Sequence, residues 1–523
     1  MSFYVTTPIY YVNDAPHIGH GYTTVMGDVL TRWHRQRGED VWYLTGTDEH
    51  GQKVLRKAQQ NGVTPQEWTD RLVEAEWKPM LETLDIANDD FIRTTEDRHE
   101  AGAQAFWQDL HDRDQVYRGS FSGWYSVGSE EFVGDDDVRD GEGDDEGHKV
   151  SALDGSRVEW VTEENYFFPL SQYQDRLLEL YRERPDFIQP ASARNEIVSF
   201  VERGLKDLSI SRSTFDWGIP VPWDRSHVMY VWIEALLNYV TAAGYGVDEE
   251  KFERLWPADV HIVGKDIARF HAVIWPAMLM AAGRPVPHRV FAHGWLLVGG
   301  QKMSKSKANG IRPDELVDVF GSDAYRYYFA RALTFGADGS ISWEDVRARY
   351  HAELANGFGN LASRVAAMIG KYFDGSLPAP GPRTDAEETL VALVAEASAA
   401  ADAAIERLAP QDALAEVWRV VDALNLYITE QAPWQVAKDE AQRERLATIL
   451  VTAAEGLRVL AVLLNPVMPK ACASLWTSLG AEPALGPLAD QRVADVAAWD
   501  RLPAGTTITK VPSLFPRIED PDA

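Results

Sequence analysis

The fold class is decided by one segment near the N-terminus, residues 3–45, which reads FYVTTPIYYVNDAPHIGHGYTTVMGDVLTRWHRQRGEDVWYLT. Its first residues, 3–7, are β-branched and aromatic and predict a strand. Residues 19–37 then show the apolar spacing of a helix, which stops at Gly38. Residues 41–45 form a second apolar strand. A strand, a helix and a strand in this order predict a parallel sheet with a right-handed crossover.

Further sheet signals appear much later in the chain, at residues 260–264 and 289–293, with a helical stretch between them. Residues 117–206 do not continue this pattern of strands and helices and are interpreted as an insertion that splits one sheet domain. From about residue 341 to 479 the sequence is helical and alanine-rich, with the caps and breaks typical of a bundle. The predicted fold class is therefore α/β: a split parallel-sheet domain with an insertion, followed by an α-helical bundle.

Composition excludes several classes of protein and kinds of site. The chain has 523 residues, with 51 Lys plus Arg against 80 Asp plus Glu, which gives a formal net charge of −29. Such acidity argues against a generally basic coat for non-specific binding to nucleic acid or anionic lipid. The one cysteine, Cys472, excludes an intrachain disulfide and a zinc site built from several thiolates. A cytoplasmic location is expected, and neither a signal peptide nor a membrane span is predicted.

Part of the acidity is concentrated in one segment, residues 130–146, which holds ten acids and one arginine and carries a net charge of −9. Glycines interrupt the segment. A run of like charges of this kind predicts a solvated loop or a small excursion rather than part of the core.

A histidine motif, Pro16-His17-Ile18-Gly19-His20, lies where the first strand meets its helix. A helix N-terminus at the carboxyl end of a parallel strand favours phosphate, because its N–H groups are unpaired and its dipole end is positive. His17 and His20 face the same way, and Gly19 permits close approach of a ligand. The alternative is a histidine pair that caps the helix or packs in the core.

A second motif, residues 299–306, reads GGQKMSKS. Its glycines predict a mobile loop, and Lys302 and Lys305 supply two charges that can clamp a triphosphate as pyrophosphate leaves. A solvated basic turn is the alternative. The two motifs together are more specific than either alone, because each lies at a sheet edge in one half of a split nucleotide-binding fold.

The two motifs resemble both signatures of the class I aminoacyl-tRNA synthetases, as HIGH at 17–20 and KMSKS at 302–306. The resemblance narrows to the methionyl-tRNA synthetase family and runs in order along nearly the whole chain. Its further segments are TPIYYVN (7–13), LTGTDEHG (44–51), LSISR (208–212), YVW (230–232), GKDI (264–267), FH (270–271) and PW (433–434).

The resemblance implies two reaction steps. Methionine attacks the α-phosphorus of ATP and expels pyrophosphate, and the methionyl group then passes to the 3′ end of tRNA(Met), including the initiator tRNA. Neither step needs an enzyme nucleophile, so catalysis would rest on positioning and charge stabilisation, with Mg²⁺ as the partner of ATP. The implied catalytic residues are His17, His20, Lys302 and Lys305, and the ATP-binding residues are these together with Gly19, Arg212, Gly264 and Asp266.

Methionine recognition is also carried over by resemblance. Asp48 matches the acid that binds the substrate ammonium, and the backbone of Ile9 lies beside it. A thioether is soft and weakly polar, so aromatic walls suit it, with Tyr11 and His271 as the polar contacts. The remaining implied methionine-binding residues are Trp232, Ala235, Leu236, Tyr239, Ile267, Phe270 and Trp275. Without the resemblance, aromatic residues at such positions are usually ordinary core.

The resemblance further implies an anticodon-binding domain. Asn360 and Arg364 are four residues apart on one helix face, and Trp434 offers a stacking platform for bases. The alternative is a packing aromatic residue and a surface polar pair. The expected domains are a Rossmann-like first half at 1–116, the connective insertion at 117–206, the second half at 207–297, a lysine-loop and stem-contact region at 298–345, and the helical domain at 346–523.

Three features set this chain apart from many family members. Ser126 and Ser129 stand where the first cysteine pair of a zinc knuckle would be, so no protein-bound zinc is expected. Glu234 stands where the family usually has Asp. The chain also ends without the extra tRNA-binding and dimerising domain of some relatives, which favours a monomer.

Three other functions share some of these sequence features. A class I synthetase for leucine, isoleucine or valine would carry a larger editing insertion, and one for cysteine would need thiolate zinc ligands. A small-molecule nucleotidyltransferase has no reason for the helical domain. A catalytically inactive tRNA-binding paralogue is disfavoured by the intact His17, His20, Lys302, Lys305 and Asp48.

Overall fold

The computed structural model describes residues 2–128, 130–141, 145–152, 155–298, 301–302 and 311–518. The strands in chain order are β1 (Phe3–Tyr11), β2 (Val41–Asp48), β3 (Asp90–Arg93), β4 (Tyr117–Ser126), β5 (Glu131–Val133), β6 (Val138–Asp140), β7 (Lys149–Ser151), β8 (Arg157–Phe168), β9 (Ile188–Gln189), β10 (Leu208–Ser209), β11 (Ser211–Arg212), β12 (Pro220–Val221), β13 (Asp224–Met229), β14 (Val260–Gly264), β15 (Arg289–His293), β16 (Leu296–Val298), β17 (Gln301–Lys302) and β18 (Gly339–Ile341).

The α-helices are α1 (Ile18–Arg37), α2 (Gln52–Gln60), α3 (Pro65–Leu72), α4 (Lys78–Thr83), α5 (Asp97–Asp112), α6 (Gln174–Glu183), α7 (Ala191–Glu202), α8 (Val231–Leu236), α9 (Asn238–Thr241), α10 (Glu249–Leu255), α11 (Trp275–Ala281), α12 (Pro313–Phe320), α13 (Ser322–Ala332), α14 (Trp343–Arg349), α15 (Asn360–Phe373), α16 (Asp385–Glu406), α17 (Pro410–Gln431), α18 (Pro433–Val436), α19 (Arg443–Leu464), α20 (Pro469–Ser478) and α21 (Ala481–Leu485). Shorter 3₁₀ and π-helical turns connect several of them.

The chain forms two compact units. The first comprises Met1–Pro16, Trp42–Pro79 and Asn88–His293, and the second comprises His17–Val41, Met80–Ala87 and Gly294–Ala523.

The first unit is built on a sheet of six described strands in the order β3-β2-β1-β14-β15-β9. The pairs of β1 with β14, β14 with β15, β15 with β9, and β2 with β3 are parallel. The strand, helix and strand predicted near the N-terminus are confirmed, and β14 and β15 have the predicted bounds. Helix α1 ends where predicted, because Gly38 adopts a φ of 87° that closes a helix without a steric penalty.

The insertion predicted for residues 117–206 contains a separate antiparallel sheet. Its long ladder joins β4 and β8 from Tyr117↔Phe167 to Ser126↔Val158, and β5, β7 and β6 extend it. The acidic segment forms β5, a 3₁₀ turn and β6, and the turn Asp135–Asp137 is exposed. The prediction of a solvated segment is wrong for Glu130, which is only 3% exposed. Its tyrosine partners hold it inside the protein, as described below.

The second unit is mainly helical. Helices α16 and α17 are long and amphipathic, and α19 is buried along nearly its whole length, from Leu446 to Leu464. Within the described residues, one helical stretch, Glu440–Leu464, is long and apolar enough to cross a membrane, and its apolar part is completely buried inside the protein. A helix that is apolar on all sides and enclosed in this way is typical of a bundle core.

A buried arginine ties the elements of the second unit together. Arg326 on α13 is fully buried and donates a hydrogen bond to Asp28 on α1 at 2.5 Å. The same guanidinium donates to the carbonyl oxygens of Leu84, Pro466 and Val467. A buried charge is tolerated only when its hydrogen bonds are satisfied, so this arginine fixes the position of α1 relative to α13 and to the end of α19.

Candidate active site

A cavity of about 530 Å³ lies in the first unit, at the carboxyl ends of β1, β2 and β14. Ligands of open parallel sheets bind outside the carboxyl ends of the strands, where the strand order reverses. Here that point lies between β1 and β14, because β2 and β3 are added on one side and β14 and β15 on the other. Five predicted site residues line the cavity: Tyr11, Asp48, Trp232, Asp266 and Ile267.

Asp48, the last residue of β2, is 6% exposed and presents a carboxylate to this cavity. Among the described residues, its Oδ1 has no hydrogen-bond partner, while the carboxylate accepts a hydrogen bond from the backbone N–H of His50. Burial, followed by the charges of Glu234 and Glu130, raises the pKa of Asp48 well above its usual range. A cation placed at Oδ1 would relieve this cost, and a substrate ammonium is such a cation.

One aromatic ring, that of Trp232, forms part of the cavity wall, and Phe270, which does not line the cavity, packs against it. The rings of Trp232 and Phe270 stack with 4.4 Å between their centroids and an angle of 18° between their planes. Trp232 lies on α8, and Phe270 begins the π-helical turn Phe270–Ile274. Both residues are half-buried, and a ligand in the cavity can reach the ring of Trp232. Flat aromatic faces are favourable contacts for a thioether.

The other predicted methionine-binding residues do not line the cavity. Ile9 is half-buried, and the buried members of the set are Ala235, Leu236, Tyr239, His271 and Trp275. Leu236, Tyr239 and Trp275 belong to the hydrophobic core on which Trp232 and Phe270 pack.

His271 has protein partners on both ring nitrogens. Its Nδ1 lies 3.0 Å from the carbonyl oxygen of Ile267, which can only accept, so Nδ1 carries the proton. Its Nε2 therefore accepts the hydrogen bond of the Tyr239 hydroxyl at 2.7 Å. Burial lowers the pKa of His271 to about 4, which keeps the ring neutral. Because the Tyr11 hydroxyl also donates, to Glu130 at 3.1 Å, contact of Tyr11 and His271 with a substrate sulfur stays a prediction.

A buried acid and two histidines lie beside Asp48. Oε1 of Glu234 is 3.0 Å from Nε2 of His99 and 3.2 Å from Nδ1 of His50. Burial opposes ionisation of Glu234, but His50 and His99 outweigh it and lower its pKa to about 2. Burial likewise opposes a charge on His50, yet the negative charge of Glu234 raises the pKa of that histidine. Glu234 is thus an anion at neutral pH, next to the backbone turn that carries Asp48.

The histidine motif lies in the second unit, where His17 is the N-cap of α1. Nδ1 of His17 accepts the backbone N–H of Gly19, and Nδ1 of His20 accepts the backbone N–H of His17, both at 3.1 Å. The structure therefore gives both rings the capping role that the sequence left as an alternative. Capping through Nδ1 does not exclude a phosphate contact, because a neutral imidazole that accepts at Nδ1 carries its proton on Nε2.

The predicted nucleotide-binding residues are only partly described. Lys302 lies in β17, whose backbone pairs with Leu297, but its side chain lies outside the described part of the chain, as does the whole of Lys305. Gly264 ends β14, and a Cβ at this position would lie 2.4 Å from Oδ1 of Asp266. Glycine thus lets the exposed carboxylate of Asp266 fold back against the strand end at the cavity.

Arg212 does not line the cavity. It is buried, and its Nε and Nη2 each lie 3.0 Å from a carboxylate oxygen of Glu163. The guanidinium carbon is 4.1 Å from the centre of the Tyr125 ring. Among the described residues, Nη1 of Arg212 has no hydrogen-bond partner. Its predicted contact with the triphosphate stays a prediction.

Of the two serines that stand at the positions of a zinc knuckle's first cysteine pair, the structure describes only Ser126. Oγ of Ser126 makes a hydrogen bond with Oγ of Ser156 at 2.7 Å, and Ser129 lies outside the described residues. Within the part of the chain that the structure describes, no group of three or more His, Cys, Asp or Glu side chains could hold a metal ion.

Two of the three predicted anticodon readers lie together in the second unit. The guanidinium carbon of Arg364, on α15, lies 5.9 Å from the centre of the Trp434 ring. Trp434 is 38% exposed, and Asn360 is exposed at the start of α15. An exposed ring beside a guanidinium is a surface on which an unpaired base can stack.

Sequence reasoning missed Glu130, whose carboxylate lines the cavity. No local pattern separates it from the acids that follow, because its burial comes from residues far away in sequence, such as Tyr11. It also missed that His50 and His99 share Glu234. The acid at position 234 is unusual for the family, but nothing in the sequence pairs it with these histidines.

Comparisons with known proteins cover the whole chain. Residues 3–366 match the family of class I tRNA synthetases (M), and residues 377–523 match the anticodon binding domain of methionyl tRNA ligase. The methionine–tRNA ligase of Streptomyces coelicolor is 61% identical, over 100% of this chain and 98% of its own length. That of Caldanaerobacter subterraneus is 47% identical, over 99% of this chain and 79% of its own length.

The fold of this chain is similar to that of solved methionyl-tRNA synthetase structures. Mycobacterium tuberculosis methionyl-tRNA synthetase in complex with methionyl-adenylate has a TM-score of 0.94 and 41% identity, over 99% of this chain and 100% of that chain. Its apo form has a TM-score of 0.87 and 38% identity. With the parallel-sheet part and the helical part both matched, this chain belongs to the methionyl-tRNA synthetase family of the class I tRNA synthetases.

Proposed function

We propose that this chain activates L-methionine with ATP to form methionyl-adenylate and transfers the methionyl group to the 3′ end of tRNA(Met). The observation that carries the proposal is the buried Oδ1 of Asp48, which has no hydrogen-bond partner among the described residues, in a cavity whose wall includes Trp232. A carboxylate for an ammonium and an aromatic face for a thioether match the two ends of methionine.

The first step needs charge stabilisation around the phosphates rather than a protein nucleophile. Nε2–H groups of His17 and His20 would donate to phosphate oxygens as negative charge develops, and Lys302 and Lys305 would hold the β- and γ-phosphates. Asp266 would bind the ribose hydroxyls of ATP. Mg²⁺ would be held mainly by the phosphate oxygens, which are the hard ligands that it prefers.

The second step needs the tRNA to be held at both ends. Arg364 and Trp434 would bind anticodon bases by stacking and by hydrogen bonds to base edges, with Asn360 beside them. The same contacts would serve the initiator and the elongator tRNA(Met), because both share the anticodon. The region 346–523 is therefore proposed as the anticodon-binding domain.

We also propose a cytoplasmic, monomeric enzyme without zinc in its insertion. The bacterial origin of the similar ligases and the serine at position 126 support this proposal. Elemental analysis is expected to find well under one zinc per chain, and size-exclusion chromatography with light scattering is expected to give the mass of one chain.

Aminoacylation of unfractionated tRNA tests the whole reaction. With ATP, Mg²⁺ and radiolabelled amino acids supplied singly, only methionine should become acid-precipitable, and only on tRNAs with the methionine anticodon. Charging with another amino acid would favour a different class I synthetase. Tight binding of tRNA without charging would favour an inactive paralogue.

A further inference from the structure

Glu130 is a buried carboxylate of the connective insertion that reaches the amino-acid cavity. We propose that Glu130 is a positioning residue of the methionine site, which fixes the Tyr11 hydroxyl and places a second negative charge beside Asp48 for the substrate ammonium. The inference rests on the proposed function of this cavity and assigns part of it to the insertion.

The hydrogen bonds of Glu130 reach several elements around the cavity. Oε1 accepts the hydroxyl of Tyr11, at the end of β1, at 3.1 Å, and also accepts the backbone N–H of Lys53, on α2. Oε2 accepts the hydroxyl of Tyr125, on β4 of the insertion sheet. One carboxylate therefore connects the sheet that carries the site to the insertion, and it fixes the hydroxyl direction of a residue that lines the cavity.

The backbone at Glu130 is bent to bring this side chain inward. Its φ of 57° is left-handed, a conformation that costs a non-glycine residue roughly 1 kcal/mol. The Tyr230 hydroxyl donates to the carbonyl oxygen of Glu130 and so holds the turn from the far side. Strained backbone positions of this kind cluster at functional sites, which supports a functional role for the buried carboxylate of Glu130.

The turn after Asp48 leaves space for the carboxylate of Glu130. Gly51 has a φ of 99°, and a Cβ there would lie 2.9 Å from the Tyr11 hydroxyl and 3.1 Å from Oε1 of Glu130. No side chain fits between these groups. The turn after Asp48, the end of β1 and Glu130 are therefore packed tightly together beside the cavity.

Glu130 adds negative charge to the surroundings of Asp48, as the charged groups around these two acids show. Asp48 faces the negative charges of Glu234, Glu130 and Glu49, and its pKa is raised first by burial and then by these acids. The groups that face Glu130 are Tyr125, the backbone of Lys53, Tyr11 and Arg212. Burial raises the pKa of Glu130, while these donors and the arginine favour its anionic form. A cavity with this surplus of negative charge attracts an ammonium more strongly than Asp48 alone.

The test compares Glu130→Gln with Asp136→Asn, in steady-state pyrophosphate exchange with varied methionine. Glutamine keeps an acceptor for Tyr11 and Lys53 and can donate to Tyr125, so this variant removes chiefly the charge. Asp136 is an exposed acid of the same segment and does not line the cavity. The control variant therefore loses the same charge at a position away from the proposed site.

We expect Glu130→Gln to raise KM for methionine about tenfold with kcat within about twofold of wild type. Removing a negative charge near Asp48 also lowers the pKa of Asp48, so the acid limb of kcat/KM should move to lower pH. A residue that merely supports the fold would not move this limb. Asp136→Asn should match wild type in both measurements.

Three results would overturn the inference. The first is an unchanged KM and pH profile in Glu130→Gln, and the second is an equal change in Asp136→Asn. If Glu130→Gln does not fold, Tyr125→Phe decides, because it removes the hydroxyl that holds the Glu130 carboxylate in place and favours its anionic form. A threefold rise in KM for methionine in Tyr125→Phe supports the inference, and an unchanged KM is the third contrary result. Wild-type enzyme that shows no exchange with methionine would instead overturn the proposed function.

Discussion

The imidazole rings of His17 and His20 stack face to face, with 3.8 Å between their centroids. Each ring uses Nδ1 to accept a backbone N–H at the first turn of α1, so the two histidines cap the helix reciprocally. This arrangement selects the tautomer with the proton on Nε2. The capping role and the proposed phosphate contact thus use different nitrogens of the same rings, which makes them separable by substitution.

Replacement of His17 by asparagine should separate these tasks. Asparagine is a favourable N-cap, so His17→Asn should change the unfolding midpoint little, whereas His17→Ala should lose about 1 kcal/mol of stability. Both variants lose the Nε2 donor, and kcat for pyrophosphate exchange should fall about 10²-fold in each. Full activity in a stable His17→Asn protein would limit His17 to capping.

The carboxylate of Asp48 should control methionine affinity. Asp48→Asn removes the charge that is proposed to bind the substrate ammonium and should raise KM for methionine about 10²-fold, with a smaller effect on KM for ATP. Because the pKa of Asp48 is raised, kcat/KM of the wild type should fall as the pH drops through that raised value, well above the range of an ordinary aspartate. Asp48→Asn should lack this acid limb. Equal rises in both KM values would point to a general distortion of the site.

Glu234 should contribute pH-dependent stability. Its pKa is lowered from 4.5 to about 2, so its contribution is present above pH 4.5 and is lost as the pH falls towards 2. Glu234→Gln should cost about 3 kcal/mol at pH 6, because it leaves His50 and His99 without their anion. Unfolding midpoints in urea should show this difference shrinking between pH 5 and pH 3.

The control for this prediction is Glu234→Asp, which keeps the charge and should lose much less stability. The raised pKa of His50 works in the other direction: its contribution is present below pH 6.5 and is lost as the pH rises through the raised value. A difference between wild type and Glu234→Gln that is the same at pH 3 and pH 6 would contradict an ionised Glu234.

The exposed ring of Trp434 should matter only to tRNA. Trp434→Ala removes a stacking platform and should lower kcat/KM for aminoacylation of tRNA by about 10- to 100-fold. Pyrophosphate exchange, which involves no tRNA, should be unchanged. Leu426→Ala is a matched control, because Leu426 is an exposed apolar residue of the same helical region at 57% exposure. Equal losses in both variants would argue against a specific role for Trp434.

The fold was largely predictable because it depends on local patterns. Apolar runs bounded by turns gave β14 and β15 with their observed bounds, and Gly38 marked the end of α1. The motif at His17 predicts phosphate binding with helix capping as an alternative, because both favour a polar residue at a helix start.

The parts of the site that escaped prediction depend on contacts between distant residues. Glu130 is one of ten acids in its segment, and nothing local distinguishes it. Its burial follows from tyrosines at positions 11 and 125 and from the backbone at Lys53, which the fold brings together. Long-range packing of this kind outweighs the tendency of acidic runs to be solvated.

The most direct test of the whole account is exchange of labelled pyrophosphate into ATP, measured with each of the twenty amino acids and without tRNA. Methionine should support exchange at a rate at least about 10²-fold above leucine, isoleucine, valine and cysteine, because the buried Asp48 and the aromatic wall suit a thioether amino acid. Exchange that depends on one of those other amino acids, or no exchange with methionine, would contradict the account.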